Sequence, residues 1–144
     1  MKRHILSAAT LALFLGLAVG SDASKQGGTL LPNEMDAYAT DYLNNNVLVQ
    51  PGENLRAYYD YTIALDGTEA AWVTDQRVAY HKAPNTTYIE LSDIESIETR
   101  EEGLIGHIID IRPTSGQAMH IEVAPMNGGE VFIRELEYAW EHAQ

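Results

Sequence analysis

The apolar residues of this chain change their period from one stretch to the next, and the changes divide it into zones. Ile5 to Val19 is an almost unbroken apolar run of 15 residues. From Ser21 to Pro32 no period is visible, and the polar residues around Gly27 and Gly28 read as a flexible linker. Met35, Tyr38, Ala39, Tyr42 and Leu43 then recur at helical spacing as one stripe. Asn33 is placed to cap that helix, and Glu34 and Asp36 suit the positive end of its dipole. The spacing predicts a helix over 33–43, ended by Asn44-Asn45-Asn46. A short strand-like Val47-Leu48-Val49 leads into the turn Gln50-Pro51-Gly52-Glu53.

From residue 54 the period becomes two. Leu55, Ala57, Tyr59, Tyr61, Ile63 and Leu65 alternate with Arg56, Tyr58, Asp60, Thr62 and Ala64, as a half-buried strand requires. Asp66-Gly67 is a hairpin signal. Short runs follow at 70–74, 78–82, 88–91, 94–100, 107–112 and 118–123, most of them separated by turn residues. Strands at this close spacing predict an antiparallel meander wrapped into a barrel or sandwich. After Asn127-Gly128-Gly129 the helical period returns, with Phe132, Ile133, Leu136, Ala139 and Trp140 on one stripe, which predicts a helix over 130–143.

The first twenty residues have a different character. Lys2, Arg3 and His4 form a basic head before the apolar run, and the small residues Ala18, Gly20, Ser21 and Ala23 follow it. That is the layout of a secretory signal peptide, with cleavage expected after Gly20 or Ala23. Fifteen apolar residues fall short of the roughly 20 that cross a bilayer comfortably. The expectation is a secreted or periplasmic protein; the alternative is tethering to the membrane by an uncleaved signal anchor. Ser21 stands where a lipoprotein would need a cysteine for its thioether.

Charge and composition narrow the partners. The chain carries 21 Asp and Glu against 9 Lys and Arg, a net charge of -12, and loss of residues 1–20 removes two bases and no acid. Nucleic acid and anionic bilayers are bound through clustered Lys and Arg, so neither is an expected partner. With no cysteine the chain has no disulfide, no thiolate-held metal and no cysteine nucleophile.

Residues 47–143 resemble a bacterial pleckstrin-homology-like domain. The likeness rests on Val47-Leu48-Val49-Gln50-Pro51-Gly52-Glu53, on Trp72-Val73-Thr74-Asp75-Gln76-Arg77-Val78 at a tight turn, on Ile89-Glu90-Leu91-Ser92-Asp93-Ile94-Glu95-Ser96-Ile97, and on the closing helix. It implies a mainly β fold with helices, of the α+β class: a seven-stranded antiparallel barrel over 47–123 capped by the helix at 130–143. The helix at 33–43 is an addition whose stripe would pack on the barrel, giving a single domain over 33–144. Members that bind inositol phospholipids do so through bases in the first hairpin. Here Leu65-Asp66-Gly67-Thr68-Glu69-Ala70 has two acids and no base, and Arg56 and Arg77 look isolated, so binding of inositol-phosphate lipid is not expected.

Catalytic signatures are missing from the sequence: there is no Gly-x-Ser-x-Gly, no phosphate-binding loop and no His-Glu-x-x-His. No cofactor is expected. His107, His120 and Glu122 are the metal candidates, since imidazole and carboxylate on neighbouring strands suit zinc or copper. Against that, alternation sends His120 and Glu122 to solvent and gives His107 the parity of Ile109 and Ile111. Tyr58 is a candidate interaction residue because it lies on the face opposite Tyr59 and Tyr61, and Arg77 is a second. The sequence reads as an exported, non-enzymatic binding or scaffolding module whose partner is a protein or envelope component. Two alternatives stand beside it: a small envelope enzyme using surface carboxylates, and a self-assembling envelope protein that forms homo-oligomers.

Overall fold

The computed structural model describes residues 25–143. The signal peptide expected at 1–20, with the start of the linker, lies outside the described residues. The fold is α+β, with two antiparallel sheets and two helices. The first sheet holds β1 (Thr29–Leu30), β2 (Leu55–Asp60), β3 (Glu69–Thr74), β4 (Arg77–Lys82) and β5 (Asn85–Glu90), side by side in chain order. The second holds β6 (Ile94–Glu102), β7 (Gly106–Pro113) and β8 (Met119–Val123). A 3-10 turn at Leu91–Asp93 carries the chain from one sheet to the other. Among the described residues no ladder joins the two sheets into a closed barrel.

One core lies between the sheets. Ala57, Val73, Val78 and Ile89 from the first face Ile109, Ile111, Ile121 and Val123 from the second, and α2 (Gly129–His142) adds Phe132, Leu136 and Ala139. Gly128 caps α2 in the left-handed region at φ 75°, and its carbonyl accepts from Val131 and Phe132. The helix lies chiefly on β2 and β3, where the small Ala57 and Ala71 leave room for it. Its outer side is fastened by Arg56, which pairs with Glu135 at 2.8 Å and stacks over the Tyr138 ring at 4.3 Å.

The opposite face of the first sheet is also covered. α1 (Ala37–Asn45) seals Leu30, Ala39, Leu43, Leu48, Tyr58, Ala70, Trp72 and Ala79 into a second cluster. β3 is therefore buried on both faces and reads as a continuous Ala70-Ala71-Trp72-Val73 run.

Several expectations about the N-terminal third are corrected. The linker is shorter than 21–32, because Thr29 and Leu30 pair with Tyr59 and Tyr58 and Leu30 is buried. The helix begins at Ala37, after a 3-10 turn at Pro32–Glu34, and Asn33 caps nothing. Glu34 accepts from the Leu31 N–H instead, and Asp36 accepts from the Gln26 N–H at 2.6 Å. Val47-Leu48-Val49 is no strand. Val47 takes φ 52°, the Leu48 N–H reaches back to the Leu43 carbonyl and the Val47 N–H to that of Asn44, so the triplet closes the helix in a Schellman turn. β2 ends at Asp60, not Leu65. The Asp60 carboxylate accepts from the Thr62 N–H and hydroxyl and from the Gly67 N–H, which turns the chain out of the sheet.

Candidate binding groove

The way α1 ends builds a groove. The Schellman turn throws Val49 across to β2, and Pro32, Met35, Leu43 and Leu55 complete an apolar wall around it. Thr40, Asn44 and Glu53 stand among these residues as its polar members. The cavity measures about 220 Å³. Apolar cavities of about 150 Å³ accept a benzene ring, so this one has room for a branched or aromatic side chain.

Arg77 holds one side of the groove in place. Its guanidinium lies 2.5 Å from Glu53, close as an ion pair but off the hydrogen-bond direction, and 3.6 Å from Glu90. It also stacks over Tyr88 at 5.3 Å, while the Tyr88 hydroxyl donates to the Leu48 carbonyl at 3.0 Å. The expectation that Arg77 is isolated is corrected: it straps the 48–53 loop onto the sheet. Arg56, engaged with Glu135, is not isolated either. Tyr58 is not an exposed anchor, since it is 1% exposed beneath α1, with burial raising its hydroxyl pKa well above the ordinary range.

Two further bases come near the first hairpin in space. Lys25 donates to the carbonyls of Ala64 and Leu65, and Lys82 pairs with Glu69 at 3.4 Å. Both serve the fold of that hairpin and its neighbour.

The metal candidates are split between two faces. His107 lies half-buried with its ring against Gly129, and its Nδ1 is buried without a partner. His120 and Glu122 are exposed on the other face of the sheet. There His120 Nδ1 meets Asp110 at 2.6 Å and Nε2 meets Glu122 at 2.9 Å, while Arg100 pairs with Asp110 at 2.5 Å. The imidazole lies between two carboxylates, so it takes the place a cation would hold. Among the described residues no group of three His, Asp or Glu side chains is arranged to hold a metal ion.

A second histidine, His81, has the opposite environment. It is buried between the Tyr42 hydroxyl at 3.0 Å and the Thr86 hydroxyl at 2.8 Å, and it ties α1 to β4 and β5. Burial lowers its pKa below 6.5, whereas the hydrogen bonds that the His120 ring donates to Glu122 and then to Asp110 raise that of His120 above 6.5. Asp110 is lowered below 3.8 in turn by His120 and Arg100. The two histidines therefore act in opposite directions on acidification. The His120 contribution to stability is complete below about pH 6.5 and fades as the pH rises through its raised value. The His81 site loses stability as the pH falls from about 6.5 through its lowered value, because the unfolded chain takes the proton first. Proton NMR titration of the imidazoles should place the His120 midpoint above 6.5 and the His81 midpoint below it. Glu122→Gln should bring the first down and leave the second in place.

The sequence carried only a part of this. Asp110 and His120 face each other across β7 and β8, a register that no local pattern encodes. Compared with protein-family models, with curated proteins and with solved structures, the chain matches none.

Proposed function

We propose that the chain is an exported, non-enzymatic binding module on a pleckstrin-homology-like framework, and that the groove receives an apolar side chain of a protein partner. The observation that carries the reading is the groove itself: Pro32, Met35, Leu43, Val49 and Leu55 form a concave apolar wall open at the surface. The framework is supported by the strand order. Four long strands, β2 to β5, are followed by three, β6 to β8, and then by α2 packed into their shared core. That is the four-plus-three order of a seven-stranded barrel stoppered by a helix, and the barrel belongs to this reading. Export rests on the head-and-run layout of residues 1–20. Among the described residues no helix is long and apolar enough to cross a membrane. Asp66 and Glu69 in the first hairpin, with Lys25 and Lys82 already engaged there, support a partner other than inositol-phosphate lipid.

Panning random displayed peptides on the mature chain tests the groove. Enriched peptides should share one large apolar anchor. Thr40→Glu puts a carboxylate beside the groove from an exposed position and should weaken their binding at least about tenfold. Enrichment without an apolar anchor, or binding indifferent to Thr40→Glu, would overturn the proposal.

A further inference from the structure

The apolar wall of the groove is rimmed by acids. Glu34 stands between the lining residues Pro32 and Met35, Asp36 follows Met35, and Asp41 follows Thr40 on α1. Glu34 and Asp41 are exposed and Asp36 is half-buried. Glu34 and Asp36 each accept one backbone N–H, from Leu31 and Gln26, and among the described residues none of the three acids is in an ion pair. Glu53 lines the groove itself, its side chain only 1% exposed.

The bases nearby do not balance these acids. Arg77 is divided between Glu53 at 2.5 Å and Glu90 at 3.6 Å. Lys25 is engaged with the Ala64 and Leu65 carbonyls, Arg56 with Glu135 and Lys82 with Glu69. Glu34, Asp36, Asp41, Glu53 and Glu90 against Arg77 is five acids to one base, a surplus of four negative charges. Each of the three rim acids is one residue from a lining residue, a Cα spacing of about 3.8 Å. That is well inside the ~8 Å over which charges act at physiological salt.

Charge complementarity therefore selects the occupant. An acidic segment would add to the surplus, and a neutral one would leave it unanswered. We propose that the groove takes a basic segment of a protein partner, with one large apolar residue in the cavity and Lys or Arg within about three residues on both sides. The inference rests on the groove being a protein-binding site, and it names the chemistry of the partner. Three extended residues reach about 10 Å, enough to carry a base from the cavity to either rim. The buried anchor sets how slowly the partner leaves, and the flanking bases set how fast it arrives and in which register. Salt should weaken the complex, because it screens the exposed part of that attraction.

Fluorescence anisotropy on the mature chain tests this with three labelled peptides of equal length. All carry one central Phe, flanked by Lys, by Gln or by Glu. At low sodium chloride the Lys-flanked peptide should bind about tenfold more tightly than the Gln-flanked one, and the Glu-flanked one should bind most weakly. High salt should close the gaps. Glu34→Gln, Asp36→Asn and Asp41→Asn together remove three rim charges and keep the oxygens that accept from Leu31 and Gln26. This variant should bring the Lys-flanked peptide to within about threefold of the Gln-flanked one. Unchanged binding of the Gln-flanked peptide shows that its groove is intact. Glu95→Gln, Glu98→Gln and Glu101→Gln remove as many exposed charges from β6, across the core in the second sheet, and should leave the preference in place. A Lys-flanked peptide that binds no better than the Gln-flanked one sinks the proposal. So does a preference that survives loss of the rim acids, or one that the β6 variant removes equally, since the net charge of the chain would then suffice. If the Gln-flanked peptide binds and yields to Thr40→Glu while Lys adds nothing, the groove reading stands and the basic partner is wrong. If the Gln-flanked peptide does not bind, or ignores Thr40→Glu, the groove reading falls and this inference with it.

Discussion

Leu136→Ala should lower the stability of the domain by about 2–5 kcal/mol, the range for truncating a buried leucine where the surroundings close only partly. Leu136 is 0% exposed and belongs to the single cluster that includes both sheets, so its removal opens a void that neither sheet can fill alone. A domain of this size has about 5–15 kcal/mol in total, so the loss is a large fraction of it. Glu137→Ala, one residue on and exposed, should change stability by less than about 0.5 kcal/mol. Glu135→Ala falls between the two, because it frees an Arg56 that is partly shielded and stacked on Tyr138. Deleting residues 130–144 removes Phe132 and Ala139 as well and should abolish cooperative unfolding. Urea melts followed by circular dichroism measure all four. If the truncated chain melts cooperatively at the wild-type midpoint, α2 is an appendage and the shared core is wrong.

How much could be read ahead of the structure depended on the range of the interaction. β3 to β8 follow from short apolar runs set between turn residues, and α2 from its helical spacing. Where a side-chain hydrogen bond or a covering element overrides the alternation, the reading failed. Alternation runs on through Tyr61, Ile63 and Leu65, yet β2 stops because Asp60 is captured by Thr62 and Gly67. Ile63 ends up fully exposed. Tyr58 looked available because its face was taken as solvent; α1 covers that face, and a sheet with two buried sides hides the distinction that alternation normally marks. The groove was invisible for a related reason. Its walls come from a 3-10 turn, a helix, a loop and a strand, and Val49 joins them only through the left-handed backbone of Val47, a residue type that rarely adopts it. Arg77 carried a signal in its place after the tight turn, but its role as a strap depends on Glu53 and Tyr88 meeting it from two other segments.

Gly106→Ala should cost about 3 kcal/mol, for two reasons that act together. Gly106 adopts φ 98°, where a side chain strains the backbone. A methyl group there would also stand 2.2 Å from the Val123 carbonyl oxygen and 2.8 Å from Ala124 C and Pro125 N. These are backbone atoms, so no side chain can swing aside to make room. The strand β8 or the β6–β7 turn must move, and both belong to the second sheet. Gly103→Ala is the control. It lies in the same turn with nothing within 4 Å of the added carbon, and it should change stability by less than about 0.5 kcal/mol. Urea midpoints of the two variants separate a close backbone contact from a general intolerance of that turn to substitution. If Gly106→Ala melts with the wild type, the turn is not packed against Val123, Ala124 and Pro125.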